Sequence, residues 1–234
     1  MEHKRLTLFA GHYGSGKTNI AVNYALLLAS EGKNVVIADL DIVNPYFRTK
    51  DSEAVLNSAG VQLISPQFAN TNVDLPALPA EAYRLVTDRN SYGIMDIGGD
   101  DRGAYALGRY VPAILEENDY RMIFVANCCR PLTRTPEEAL EVMREIEAAC
   151  GLQFTDIVNN SNLASETTAE TVLASTAYAE KLSQLSGLPI FATTTVTAVA
   201  AELTGKLPNV LPLQLQEKYF DLPSQKPVNR PLWG

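Results

Sequence analysis

GHYGSGKT, Gly11 to Thr18, follows directly on the apolar run Leu6-Thr7-Leu8-Phe9-Ala10 and precedes a stretch with Ile20, Tyr24, Leu27 and Leu28 at helical spacing. A strand, a glycine-rich turn and a helix in that order, with G-x-x-x-x-G-K-[ST] at the turn, is the signature of a loop that wraps phosphates. Gly11, Gly14 and Gly16 can take backbone angles closed to other residues, so consecutive amides can turn inward. Lys17 supplies a mobile positive charge, and the Thr18 hydroxyl is a candidate magnesium ligand. The helix that follows aims the positive end of its dipole at the same place. The whole loop, His12, Tyr13 and Ser15 included, is therefore the candidate phosphate contact.

Working outward, strand-like and helix-like segments alternate along the chain, which predicts an α/β fold with a mostly parallel sheet and helices on both faces. Val35 to Ala38 reads as the second strand and ends in Asp39-Leu40-Asp41. Helices are expected over Ser52 to Ala59, Gly103 to Leu115 and Glu166 to Leu185. Strands are expected over Val61 to Ile64, Tyr92 to Ile97, Arg121 to Ala126, Asp156 to Val158 and Pro189 to Thr194. Thr135-Pro136-Glu137-Glu138 is a capping box with proline in the first helical position, and it starts a helix with Val142, Met143, Ile146 and Ala149 on one face. Residues 65 to 80 carry three prolines, Pro66, Pro76 and Pro79, and read as a surface connection long enough to have a function. From about residue 206 prolines recur, and the tail is expected to lie over the domain without elements of its own. No repeat or boundary divides residues 1 to 234, so a single domain is expected.

With 234 residues the chain can bury one substantial core. A formal net charge of −8, with no basic stripe, argues against nucleic acid and anionic membrane surfaces as partners. No apolar run is long enough for a membrane span and no leader-like segment opens the sequence, so a cytoplasmic protein is expected. Three cysteines, Cys128, Cys129 and Cys150, are an odd count and suggest reduced thiols. Adjacent Cys128 and Cys129 are a poor chelate without a third ligand nearby, and a structural role is favoured for them.

A phosphate loop needs a metal partner and a sensor of the terminal phosphate. Asp96-Ile97-Gly98-Gly99 has the D-x-x-G form in which a carboxylate anchors the metal's water shell and a glycine amide approaches that phosphate. Asp39 and Asp41 end the second strand and are not expected to share a role. Asp41 is the better placed of the two, lying further past the strand end where open α/β sheets bind ligands.

GHYGSGKT, then ADLDIVNPYFR (Ala38 to Arg48), IMDIGGDDRG (Ile94 to Gly103) and IVNN (Ile157 to Asn160) resemble, in order and spacing, the MinD/ParA-like P-loop ATPases over about the first 200 residues. The resemblance implies a P-loop NTPase fold and a slow Mg-dependent ATPase that acts as a nucleotide-controlled switch on a protein client. It implies that Lys17 and Thr18 hold nucleotide and Mg2+, that Asp41 orients the attacking water, and that Asp96 is the acid behind the metal. Thr18, Asp41 and Asp96 are thus the candidate metal residues, with Lys17 and Asp41 the candidate catalytic ones. Asn159 or Asn160 matches the family's base-contacting asparagine, with Asn160 the preferred choice. Guanine-specific relatives carry an acid in this segment, whereas Asn159-Asn160-Ser161-Asn162 has none, so ATP is expected over GTP.

One position departs from the pattern. Members that form nucleotide-dependent homodimers carry a lysine after the first loop glycine, and here that residue is His12. A neutral imidazole is a poor replacement for a fixed ammonium, which argues against that dimer. Arg102, Arg130 and Arg134 are the candidate substitute cations, and the sequence does not show which of them reaches the site. The alternative function is a dethiobiotin synthetase-like small-molecule ligase or kinase, with residues 65 to 80 helping to form its pocket.

Overall fold

The computed structural model describes residues 2–40, 49–65, 80–99, 101–163 and 166–215. Strand β1 (Leu6–Ala10) lies inside a sheet of eight strands, completed by β2 (Val35–Leu40), β3 (Gln62–Ile64), β4 (Tyr92–Ile97), β5 (Tyr120–Ala126), β6 (Asp156–Asn159), β7 (Ile190–Val196) and β8 (Val210–Leu213). Their order is β3-β2-β4-β1-β5-β6-β7-β8, and every pairing is parallel. Because β1 is followed by β2 on one side and β4 by β5 on the other, the topology reverses around β1. The carboxyl end of β1, where GHYGSGKT begins, is thus at the switch point where such sheets bind ligands.

Both faces of the sheet are covered, as its continuously buried strands require. On one face Leu6, Leu8 and Ala10 pack with Met95, Ile97, Phe124 and Ala126 under α3 (Arg84–Thr87), α4 (Asp101–Gly108), α5 (Val111–Glu117), α6 (Pro136–Cys150) and α8 (Thr176–Ser186). On the other, Phe9, Ile37, Ile94 and Ile123 meet Ile20, Tyr24 and Leu28 of α1 (Lys17–Ser30) and Leu56 of α2 (Glu53–Ser58). The edge T-shaped contact of Phe9 with Tyr24, ring centroids 5.7 Å apart, fixes α1 across β1. Alternation of side chains along β1 alone divides the two cores.

The expected elements are present with instructive differences. The capping box forms in full: the Glu138 amide donates to Thr135 Oγ1 (3.2 Å) and the Thr135 amide to Glu138 Oε2 (2.9 Å). The single helix expected over Gly103 to Leu115 is two, α4 and α5, with Pro112 in the first turn of the second. A proline there cannot donate backward, so the chain restarts instead of continuing. The long helix expected from Glu166 is also two, α7 (Ala169–Ala174) and α8, meeting at Ser175. The Ser175 hydroxyl donates back to the Val172 carbonyl (2.7 Å), a bond that bends helices.

The proline-bearing tail does form an element. After a short helix, α9 (Thr197–Leu203), β8 adds an outer strand to β7 and carries Pro212, which is exposed. An edge strand tolerates proline because one side of it has no neighbour to bond. Most of the 65 to 80 connection lies outside the described residues, as do Tyr46-Phe47-Arg48 and Tyr219-Phe220. Among the described residues no helix is long and apolar enough to cross a membrane.

Candidate phosphate-binding site

The loop between β1 and α1 has the backbone shape its glycines allow. Gly11, Gly14 and Gly16 have φ of 150°, 74° and 95°. A side chain on Gly11 would put its first carbon 2.7 Å from the Val125 carbonyl oxygen of β5, so only glycine lets β1 leave the sheet there. The Ser15 amide donates to the His12 carbonyl (3.1 Å), closing the turn. Helix α1 starts from Gly16 with no side-chain cap, so its first-turn amides belong to the loop. Lys17, 5% exposed, folds its ammonium back to donate to the His12 carbonyl at 3.2 Å. Thr18 is buried beside it, while Tyr13 and Gly14 are exposed at the loop's crest. Ser15 is fully buried, and its hydroxyl has no hydrogen-bond partner among the described residues.

Four further strand ends surround this loop. From β4, Asp96 is fully buried and accepts a bond from the Thr49 hydroxyl (3.2 Å). Three residues on, Gly99 presses on the loop: a side chain there would put its first carbon 2.7 Å from the Tyr13 amide nitrogen and 2.9 Å from Lys17 Nζ. Gly103 in turn lets α4 sit on Gly98, where an added side chain would come within 2.6 Å of the Gly98 Cα. Gly98 and Gly99 are therefore packed between Gly103 of α4 and the loop after β1, two and three residues past the buried Asp96.

Beside it, β2 contributes Asp39, which stands in register with Asp96 and is 2% exposed. Parallel neighbours in register project on one face, so two buried carboxylates lie side by side. Asp39 and Thr49 are the residues sequence reasoning passed over. The Asp-x-Asp spacing at a strand end was the only signal for the first, and Thr49 had none. Asp41 lies outside the described residues.

From β6 and the turn after it come the two asparagines, which take different paths. Asn159 Nδ2 donates to the Ser175 hydroxyl (2.8 Å), and its Oδ1 accepts from the Ser161 amide (3.2 Å). Asn160 Nδ2 donates to the Ser15 carbonyl (2.6 Å), while its Oδ1 accepts from the Thr194 hydroxyl of β7 (2.7 Å). Asn160 is thus bonded directly to the phosphate loop, and Asn159 to the helix junction at Ser175.

From β5 come Cys128, Cys129 and Arg130. Burial, then the neighbouring Cys128, pushes the Cys129 thiol up, which disfavours the reactive thiolate. Among the described residues no three His, Cys, Asp or Glu side chains gather as a metal site. Arg130 lies along Gly14, as described below, whereas Arg134 is exposed and the side chain of Arg102 lies outside the described residues. Burial lowers the basicity of His12, opposed in part by the Tyr13 backbone and aided by the charges of Lys17 and Arg130. His12 is therefore neutral near pH 7.

No protein-family model matches this sequence, and no curated protein is significantly similar to it. Solved structures are similar at the level of fold. FtsY of Thermotoga maritima is 19% identical with a TM-score of 0.58, covering 83% of this chain and 62% of that one. FtsY of Mycoplasma mycoides is 17% identical with a TM-score of 0.55, over 83% and 61% of the two chains. The signal recognition particle 54 kDa protein of Aeropyrum pernix, solved in complex with GDP, is 16% identical with a TM-score of 0.52, over 80% and 40%. The chain spans less than two thirds of the length of each of these proteins. It shares with them an α/β, P-loop NTPase-like fold built on a parallel sheet.

Proposed function

We propose that this chain is a magnesium-dependent ATP-binding protein and slow ATPase whose nucleotide state controls a partner protein. The observation that carries this reading is the placement of Gly99 against Tyr13 and Lys17, which joins the D-x-x-G turn to the phosphate loop in one site. Loops of that kind are ordered by a terminal phosphate and released on hydrolysis, which is how they govern partners.

The donor set suits the metal. The Thr18 hydroxyl and the Asp96 and Asp39 carboxylates are hard oxygen donors. Mg2+ is commonly held by one or two carboxylates, with waters and phosphate oxygens completing its shell. Bound there, it would supply positive charge to the phosphate oxygens. Lys17 would bind the outer phosphates and Asp41 would orient water. The water oxygen bonds to the terminal phosphorus as the bridging P–O bond breaks, and ADP leaves with the electron pair.

Kinship with the MinD/ParA-like ATPases rests on the order and spacing of the motifs. Adenine over guanine rests on Asn159 to Asn162, which contain no acid to read a guanine edge. GTP is the second reading, favoured by the GDP in the Aeropyrum pernix neighbour. Displacement of a fluorescent ADP analogue by ATP and GTP decides between them, and a stronger effect of GTP overturns the adenine reading. Lys17→Ala is expected to abolish nucleotide binding, and Asp41→Ala to keep binding while stopping hydrolysis. Unchanged affinity in Lys17→Ala would overturn the proposal. Cytoplasmic residence and a protein client belong to the same proposal.

A further inference from the structure

Arg130 follows β5 and turns toward the phosphate loop. Its backbone is held at both ends: its amide donates to the Asn127 carbonyl (3.1 Å), and its carbonyl accepts from the Thr133 amide (3.2 Å). Pro131 follows, and Arg130 is extended at φ −106°, ψ 143°, the conformation a following proline favours. The side chain then runs along the loop. A carbon added at Gly14 would lie 3.6 Å from Arg130 Nε and 3.8 Å from its Cδ and Cζ, so the guanidinium lies beside the loop crest, on the side where a Gly14 side chain would project.

Its pairing sets it apart from the structural arginines. Arg5, Arg121 and Arg144 are paired with Glu117, Asp156 and Glu147. Arg130 makes no ion pair among the described residues, and its buried Nε has no hydrogen-bond partner there. A rigidly mounted cation with an unused donor, set against a loop that already carries Lys17, calls for an anion. Gly14 adjoins Tyr13, the residue against which Gly99 packs, and Lys17 Nζ lies at the same contact. That is the outer end of the cradle, which the loop lysine serves by reaching the outer phosphates.

We infer that Arg130 contacts the terminal phosphate of the bound nucleoside triphosphate from within the same chain, replacing a cation that a second subunit would otherwise bring. The inference rests on the nucleotide reading above. A planar fork with fixed charge suits phosphate oxygens, and an arginine supplied in cis to the transferring phosphoryl group speeds hydrolysis in P-loop enzymes. His12, neutral at the signature position, is then compensated inside the chain.

The test measures affinity for ADP and for β,γ-imido-ATP, both with magnesium, in the wild-type chain and in Arg130→Gln and Arg130→Lys. Arg130→Gln is expected to weaken the triphosphate analogue by about tenfold or more, as loss of a charge-assisted contact should, and ADP by less than about threefold on the same reasoning. Arg130→Lys, which keeps charge but loses the fork, is expected to fall between and serves if the glutamine variant does not fold. Equal weakening of both nucleotides, or none, overturns the inference while leaving the nucleotide reading intact. Failure of the wild-type chain to bind either nucleotide overturns both. Light scattering with the analogue is expected to report a monomer, and a dimer formed only with the triphosphate analogue overturns the replacement of a partner's cation.

Discussion

The Asn160 side-chain amide donates to the Ser15 carbonyl at 2.6 Å, tying the turn after β6 to the middle of the phosphate loop. Its carbonyl accepts from the Thr194 hydroxyl at 2.7 Å, so one buried side chain joins β7, the end of β6 and the loop. Gly16 lies so close that any side chain there would collide with the Asn160 amide.

Asn160→Ala should therefore act on stability as well as on nucleotide. It leaves the Ser15 carbonyl and the Thr194 hydroxyl without this partner, at about 1–3 kcal/mol for each buried group that stays unsatisfied. At roughly 2–4 °C per kcal/mol for a chain of this size, the melting temperature without nucleotide should fall by several degrees. A variant that melts like the wild type but changes its preference between ATP and GTP would assign Asn160 to the base alone.

Gly99→Ala tests the junction of the two motifs. The added carbon would stand 2.7 Å from the Tyr13 amide nitrogen and 2.9 Å from the Tyr13 Cα and from Lys17 Nζ. Lys17 can swing aside, but the Tyr13 backbone belongs to the loop and cannot. Overpacking of this kind costs about 1–3 kcal/mol, and affinity for a magnesium triphosphate analogue should fall about tenfold or more, each 1.4 kcal/mol being a factor of ten. Calorimetric titration checks it, and wild-type affinity would place Gly99 away from the phosphates.

His12 should make stability depend on pH in one direction. Burial lowers its folded-state pKa below the ordinary value of 6.5. The unfolded chain thus takes up the proton first as pH falls through 6.5, and stability declines until the folded protein is protonated too. Above 6.5 the term is constant. With only two histidines in the sequence, His3 and His12, imidazole resonances can be followed individually. His12 should titrate below 6.5 in the free protein and higher with ADP bound, because phosphate charge favours the imidazolium. A nucleotide-independent titration would remove His12 from the site.

Arg5 offers a test of the fold apart from the loop. Its guanidinium pairs with Glu117, each side chain 8% exposed, and donates to the carbonyls of Leu85 (2.9 Å), Asp88 (3.2 Å) and Ser91 (3.2 Å). Arg5→Met strands the Glu117 carboxylate and should cost about 3–5 kcal/mol in urea unfolding. Replacing both members by apolar residues should recover much of that loss, and additive losses would show that the pair is not coupled.

The sequence by itself determined the alternation of strands and helices, the glycines of the loop and the capping box at Thr135. Each of these is a local property: side-chain period, backbone freedom, or a hydroxyl three residues from the amide it caps. The tertiary structure alone decided what faces the loop. Asp39 beside Asp96 depends on the register of β2 against β4, and the bond from Thr49 to Asp96 joins residues 47 positions apart, which no local sequence signal links. The pairing of β8 with β7 is likewise a long-range choice, at an edge that tolerates Pro212. The same holds for the arginines: Arg102, Arg130 and Arg134 are equivalent in the sequence as nearby cations. Only the turn fixed by Asn127 and Pro131 lays Arg130 along Gly14, because an exposed crest of glycine leaves room for a guanidinium there.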